Sequence, residues 1–437
     1  MKRLSLIFVL ISQLVFAQKT DLVKHLQPTV FAVTMVMIHD VVNPPAAARF
    51  YSYCTLGAHE IIAEHSKAVV SPTLFVRGFQ KPAIQPNKDY NYQLAALYCL
   101  METGRLILPS GYMLEEDQVK FLEKIRKEGF SEKNIQASIA VAQEVAKQVV
   151  AFAATDNYTK LSTRVRYRPM KGDGYWYPTP PGYLEAIEPH WRTIKPMMID
   201  TCSQFMPKRP TPFSPDSGSV FYKVAYEVYR EGGKNISPEH RIIASFWDCN
   251  PFAINTSGHM MIGFKKMSPG GHWMSITNIA TLKAKLSLEK SIQVLSLTAI
   301  TLRDAFISCW DEKYRSNRIR PETVIQRYID KTWQPLLQTP PFPEYTSGHS
   351  VISTAASEVL TYLLGDNFAY TDDTEVPFDL APRDFTSFRQ AAAEAAISRL
   401  YGGIHYRDAI ENGQAQGRAI SEFIIGKLKK VGIRPLI

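Results

Sequence analysis

The chain has 437 residues, 45% hydrophobic and 21% charged, with a formal net charge of +9. That is enough apolar side chain for a large buried core, which excludes a disordered or low-complexity protein. The positive charge is spread along the chain with no long Lys/Arg tract, which argues against nucleic acid as a partner and leaves a mild positive field suited to an anionic ligand.

The first residues read as a secretory signal over 1–17. Lys2 and Arg3 form a charged start, Leu4 to Phe16 is largely apolar, and Ala17, with Val15 two before it, fits a small-residue cleavage site. About thirteen apolar residues are short for a membrane span. The expectation is therefore export, to the periplasm or the medium. Beyond the signal no run of eighteen apolar residues is evident. The most apolar helical stretch, 137–154, is interrupted by Gln143, Glu144, Lys147 and Gln148, so no membrane span is expected. Cys54, Cys99, Cys202, Cys249 and Cys309 are scattered, odd in number and without metal-ligand spacing. One or two disulfides are compatible with an oxidising compartment, and most of these thiols read as small core residues.

Asn43 and Pro44 break the chain ahead of an alanine-rich helical pattern over 46–64, with Pro45 tolerated in its first turn. Helical periodicity follows over about 91–106, 116–127 and 132–152. The stretch from Arg166 to Gly218 differs, being rich in Pro, Gly and aromatic residues. It is too long for a connector and too aromatic for a flexible linker. An ordered excursion packed across the domain is expected, ending near a boundary at about residue 220. Helical patterns return over 220–230, 238–247, 286–314, 350–364, 386–400 and from about His405 to Lys430, with Gly365 as a stop. Strand-like alternation is scarce. The prediction is an all-α protein of two helical bundles, an N-terminal region over 18–220 and a C-terminal bundle over 221–437, with the proline-rich aromatic segment between them.

Three stretches of the second half carry chemistry. Lys313 and Arg320 lie seven residues apart, roughly two helical turns, so both point to one side if the helix persists. Pro321 pushes Arg320 out of α geometry and favours a helix end there. Ser347-Gly348-His349 directly precedes an apolar helix whose free N–H groups attract anions. Gly348 lets an oxyanion approach the main chain, the Ser347 hydroxyl adds a hydrogen bond, and His349 stands beside it. The same tripeptide occurs at Ser257-Gly258-His259, without a long helix after it or a Lys/Arg pair before it, and the second copy is preferred. Ser398-Arg399 closes a helix, Gly402-Gly403 permits a tight turn, and His405 stands at the start of the next helix. Each stretch alone has a bland account: a basic helix end, an N-cap beside an incidental histidine, a turn with a satisfied histidine. Together they supply three cations and two imidazoles, a set suited to a tetrahedral oxyanion such as phosphate or vanadate, with one histidine attacking or ligating its central atom.

In this order and spacing, Lys313 to Asp408 resembles the signature of the type 2 phosphatidic acid phosphatase and vanadium haloperoxidase superfamily. Two departures stand out: Thr346 occupies a position where proline is usual, and Asp408 lies three rather than four residues after His405, which leaves the orientation of His405 open. Outside this core, Gly174-Tyr175-Trp176-Tyr177-Pro178, Pro189-His190-Trp191, Gly270-Gly271-His272-Trp273 and Asn43-Pro44-Pro45 are similar to the bacterial vanadium-dependent haloperoxidases, and Trp310 resembles the iodide-oxidising members. The resemblance implies vanadate as cofactor and hydrogen peroxide and a halide, iodide first, as substrates. It also implies roles: vanadium ligation for His405, charge neutralisation for Lys313, Arg320 and Arg399, hydrogen bonds from Ser347 and Gly348, acid–base work for His349, peroxide polarisation for Lys313, and a halide pocket from Trp310, His272 and Trp273. The core motif alone also permits a soluble periplasmic acid phosphatase in which His405 becomes a phosphohistidine, or an exported binder of oxyanions without turnover.

Overall fold

The computed structural model describes residues 21–84, 89–234, 236–257, 260–263 and 265–437. The signal expected over 1–17, and Gly258 and His259 of the first Ser-Gly-His copy, lie outside the described residues. The helices among the described residues are α1 (Leu26–His39), α2 (Pro44–His65), α3 (Tyr92–Ile107), α4 (Leu114–Lys127), α5 (Glu132–Ala153), α6 (Val220–Glu231) and α7 (Pro238–Phe246). They continue with α8 (Pro269–Lys283), α9 (Leu288–Ser316), α10 (Pro321–Tyr328), α11 (Gly348–Leu364), α12 (Phe388–Tyr401) and α13 (Arg407–Lys430). Two antiparallel hairpins, Ile254–Ser257 with Met260–Gly263 and Tyr370–Asp372 with Arg383–Phe385, are the sheet content described. Ser257 ends one strand of the first hairpin, and Met260–Gly263, the described residues that follow the copy, form the other strand rather than a helix.

The all-α expectation holds because the predicted helices carry their own start and stop chemistry. At the head of α2, the Asn43 side chain accepts from the Ala46 N–H at 2.9 Å, and Pro44 and Pro45 fill the first turn. Gly365, at φ +92°, ends α11. Three helices escaped periodicity. α1 is apolar on most sides, α10 is short, and α8 opens on Pro-Gly-Gly, residues that weigh against a helix until the Ser268 cap on Gly271 N and burial outvote them.

The largest apolar cluster takes residues from Leu22 to Ile433 and includes side chains from both sides of residue 220. α2 and α9 cross its centre, and nearly every side chain of α9 from Leu288 to Lys313 is buried. Among the helices of the described residues α9, rather than 137–154, carries the most apolar long window, with mean hydropathy 1.3, and that window is wholly buried inside the protein. All five cysteines are unpaired thiols; Cys202 is half-buried and the other four are buried, so the disulfides that the count allowed do not form.

Buried polar groups pin the two halves together. Asp156 accepts from Arg49 Nε at 2.7 Å, Arg303 Nη2 at 3.1 Å and Tyr53 Oη at 2.9 Å. Asp304 accepts the backbone N–H groups of Met197, Met198 and Ile199 at 2.9, 2.6 and 2.9 Å. Losing one partner of such a buried set leaves an uncompensated charge and costs about 3–5 kcal/mol.

The proline-rich stretch is ordered, as predicted, and has almost no helix or strand of its own. Its backbone is spent on neighbours instead. Trp176 N–H donates to Asn317 O at 2.9 Å, Ile319 N–H to Gly174 O at 3.0 Å and Ile187 N–H to Pro341 O at 3.0 Å. The Ile187 carbonyl accepts from Trp310 Nε1 at 3.2 Å and Tyr314 Oη at 2.6 Å. The segment thereby lies across the end of α9, where the chemical residues cluster.

Candidate active site

α9 does not continue to Arg320. Asn317 takes a left-handed conformation at φ 52°, which asparagine tolerates better than most residues, and its N–H caps the Lys313 carbonyl at 2.9 Å. The chain turns there and Arg320 becomes the N-cap of α10 ahead of Pro321. Lys313 and Arg320 are both fully buried. Their common direction comes from this turn rather than from two helical turns.

Lys313 Nζ donates to three carbonyls of the loop leading into α11, those of Pro343 at 3.2 Å, Glu344 at 3.1 Å and Thr346 at 2.6 Å. Burial, with Arg320 adding to it, lowers Lys313 to about 7. Arg320 donates from Nε to Phe342 O at 2.9 Å and from Nη1 to Ile404 O at 2.9 Å; burial lowers its guanidinium to about 10. Arg399, in the last turn of α12, donates from Nη2 to Trp247 O at 2.8 Å and from Nε to Ser398 Oγ at 2.9 Å.

His405 precedes α13 after the Gly402-Gly403 turn, where Gly403 adopts φ +76°. Its Nδ1 lies 2.8 Å from Glu344 Oε1, which also accepts the Tyr406 N–H at 3.0 Å, and its Nε2 lies 3.2 Å from Arg320 Nη1. A proton on Nδ1 directed at the carboxyl leaves the Nε2 lone pair facing the cations. Burial holds His405 well below the ordinary histidine range, and Arg320, Lys313, Arg399 and His349 lower it further. All four groups thus act on the imidazole, and Arg320 is in direct contact with it. Burial also pushes the Glu344 carboxyl up to about 7, against the pull of Arg318.

Ser347 is the N-cap of α11, its Oγ accepting from Ser350 N–H at 3.3 Å and Ser350 Oγ at 2.8 Å, so its own hydroxyl proton remains available to a ligand. A Cβ on Gly348 would sit 3.7 Å from the Trp310 ring and 4.0 Å from Lys313 Cε, in the space between the helix end and the lysine. His349 is partly exposed while Lys313, Arg320, Ser347, Arg399 and His405 are buried. Burial first, then Arg399, keeps the His349 ring well below the ordinary range, and a backbone hydrogen bond ties it to Trp247.

The structure thus brings together Lys313, Arg320, Ser347, Gly348, His349, Arg399 and His405. Trp310 borders them, with Lys313 Nζ 5.6 Å from its ring centre and Phe342 packed against it at 4.9 Å. His272 and Trp273 sit a layer behind. The Trp247 ring stacks on His272 at 4.6 Å, and Trp273 Nε1 donates to Ser353 Oγ at 2.8 Å. Sequence reasoning missed Glu344, whose single acidic letter in a proline-rich loop carries no local signal. It also missed that Asp408 pairs with Arg318, at 2.9 and 3.0 Å, and with Thr211 Oγ1 at 2.8 Å rather than with His405. Thr346, in place of the usual proline, donates its hydroxyl to Gln416 Oε1 at 2.7 Å and so ties the loop to α13.

Arg320 Nη2 and His349 Nε2 are buried without a hydrogen-bond partner. Asp408 offsets Arg318, Glu344 is shared by Arg318, Arg320 and Lys313, Glu322 also acts on Arg320, and Asp248 acts on Arg399. A buried donor without a partner costs about 1–3 kcal/mol and an uncompensated charge more. A tetrahedral oxyanion gives these nitrogens a partner among three buried cations, and the residues present fit one.

The profile of the VCPO second helical-bundle domain matches residues 293–432. Among curated proteins no relative matches this chain. A crystal structure described as the first bacterial vanadium-dependent iodoperoxidase is 43% identical, covers 93% of this chain and 96% of its own, and superposes with a TM-score of 0.85. Holo and apo bacterial vanadium-dependent chloroperoxidases share the fold at 15% and 14% identity, covering 95% and 89% of this chain and 97% and 95% of their own, with TM-scores of 0.69 and 0.67. With a cage fit for an oxyanion and 43% identity along nearly its whole length, the chain belongs to the vanadium-dependent haloperoxidases.

Proposed function

We propose that this protein holds vanadate among Lys313, Arg320, Ser347, Gly348, Arg399 and His405 and uses hydrogen peroxide to oxidise a halide, iodide in preference. The observation that carries the reading is the pair of unpartnered buried nitrogens, Arg320 Nη2 and His349 Nε2, in a cage that also holds the buried cations Lys313 and Arg399. Bound there, vanadate supplies a Lewis-acid centre that activates hydrogen peroxide toward a halide nucleophile.

The side chains do the rest. Glu344 holds the His405 ring so that Nε2 presents its lone pair to the cofactor. Lys313, Arg320 and Arg399 offset the oxyanion charge from fixed positions, without reorganisation during turnover. Ser347 Oγ–H and the Gly348 N–H donate to its oxygens. His349, kept neutral by burial and by Arg399, takes a proton from hydrogen peroxide at Nε2 and returns it to the departing oxygen. Trp310 walls the halide approach, with His272 and Trp273 behind it. Iodide is favoured because it is the easiest halide to oxidise, because Trp310 resembles the iodide-oxidising members, and because the 43% identical relative is described as an iodoperoxidase. The Lys2-Arg3 start and apolar 4–16 stretch support export, which N-terminal sequencing of the mature protein tests.

The deciding experiment strips the protein in phosphate-free chelating buffer and restores orthovanadate, hydrogen peroxide and iodide. Vanadate-dependent triiodide formation is expected, with turnover lowered ~10²-fold or more in His349→Ala while vanadate binding is largely kept. Hydrolysis of p-nitrophenyl phosphate by the stripped protein, with no vanadate-dependent oxidation, overturns the proposal in favour of a phosphatase.

A further inference from the structure

Cys249, His272 and Glu375 come from three separate parts of the chain: the turn after α7, the first turns of α8, and the segment after the Tyr370–Asp372 strand. One ligand-type atom from each lies within 4.8 Å of the other two, and all three residues are buried. His272 Nδ1 is 3.4 Å from Cys249 Sγ and 3.3 Å from Glu375 Oε1. In a tetrahedral site with zinc–sulfur and zinc–nitrogen or –oxygen bonds of ordinary length, neighbouring ligand atoms stand about 3.3–3.6 Å apart. The two separations from His272 Nδ1 match edges of that tetrahedron.

Two further observations point to a ligand. Glu375 Oε1 is buried and has no hydrogen-bond partner, although it faces an imidazole nitrogen. The other nitrogen, Nε2, is taken by Asp372 Oδ2 at 2.9 Å, and Asp372 is itself fixed by Thr374 N–H at 3.1 Å and Thr374 Oγ1 at 2.7 Å. A carboxylate on the far nitrogen is the arrangement that orients a metal-binding histidine and raises its basicity.

We propose that Cys249, His272 and Glu375 bind one divalent ion of the zinc class, with Asp372 as the orienting partner of His272 and water completing the tetrahedron. The ion displaces the protons on Cys249 Sγ and His272 Nδ1 to solvent. Its two charges are then balanced by one thiolate and one carboxylate, and the Asp372 carboxylate remains as a single negative charge hydrogen-bonded to His272 Nε2 and Thr374. The site is separate from the oxyanion cage, but Trp247 joins them: its ring stacks on His272 and its carbonyl holds Arg399 Nη2. A metal that fixes Cys249 against His272 fixes the 247–249 turn and so positions the Arg399 guanidinium.

The test needs no turnover. Purified full-length protein, freed of metal and returned to buffer without chelator, is titrated with Co²⁺. The expected result is one ion per chain with tetrahedral visible bands and a near-ultraviolet thiolate-to-cobalt band, displaced by Zn²⁺. Cys249→Ser should remove the thiolate band, and Glu375→Gln should weaken binding about tenfold or more, both with unchanged circular dichroism. Wild-type protein that takes up no ion at micromolar free Co²⁺ or Zn²⁺, or a thiolate band that survives in Cys249→Ser, overturns the site. Should either variant misfold, the wild-type spectrum decides alone. Vanadate affinity measured by dialysis with and without zinc tests the positioning of Arg399; equal affinities overturn that role, independently of the haloperoxidase reading.

Discussion

Glu344 sets the direction in which His405 can act. It accepts from His405 Nδ1 and from the Tyr406 N–H with one oxygen, and Arg318 stands 3.6 Å from the other. Glu344→Gln keeps the shape and removes the charge that supports the ring, so vanadate affinity is expected to fall about 10–100-fold; equilibrium dialysis returning wild-type affinity would dismiss this partner. Lys313 gives the site a pH dependence. Without an anion its folded value is about 7, because burial disfavours the ammonium. A bound dianion favours the ammonium and raises that value. Above pH 7, binding therefore takes up a proton and affinity declines by up to ~10-fold per pH unit, whereas below 7 Lys313 is already charged and contributes no uptake. Sulfate is the suitable probe, since it does not itself titrate in this range. Calorimetry at pH 8 in two buffers of different ionisation heat should show the uptake, and a flat affinity from pH 6.5 to 8.5 would contradict it.

Among the elements, two turns place the site. The left-handed Asn317 aims Lys313 and Arg320 at one volume, and Gly402-Gly403 does the same for Arg399 and His405. At Gly403, φ is +76° and a Cβ would lie 2.9 Å from Trp333 Cη2 and 3.2 Å from Pro335. Gly403→Ala should therefore cost about 1–3 kcal/mol in urea unfolding and weaken vanadate binding, because Arg399 and His405 flank the turn. Wild-type stability in that variant would show that the turn has slack. The proline-rich segment contributes through its backbone: Ile187 O anchors Trp310 and Tyr314, and Gly174 and Trp176 pair with the 317–319 turn.

For the whole molecule, the question is whether the two helical regions, divided near residue 220, stand alone. α9 belongs to the later region by sequence but packs along α2, and Arg303 reaches Asp156 across the divide. Expressed alone, residues 221–437 would expose the α2-facing side of α9 and leave Arg303 unpaired. The fragment should bind hydrophobic dyes and unfold without a cooperative transition, and co-expression with the first 220 residues should restore one. A fragment that melts sharply by itself would establish the second region as autonomous.

The sequence by itself determined the helices that have a capping residue and a clear apolar stripe, and it disclosed the oxyanion cage, because three spaced motifs carry chemistry that few other arrangements need. α8 was illegible because its opening glycines contradict the helix that Ser268 and burial impose. Only the tertiary structure decided that Lys313 and Arg320 meet across a left-handed turn, that Glu344 rather than Asp408 orients His405, and that His272 faces Cys249 and Glu375. These pairings join residues far apart in the chain. Burial and the demand that each enclosed polar atom find a partner choose among them, and no local spacing encodes that choice.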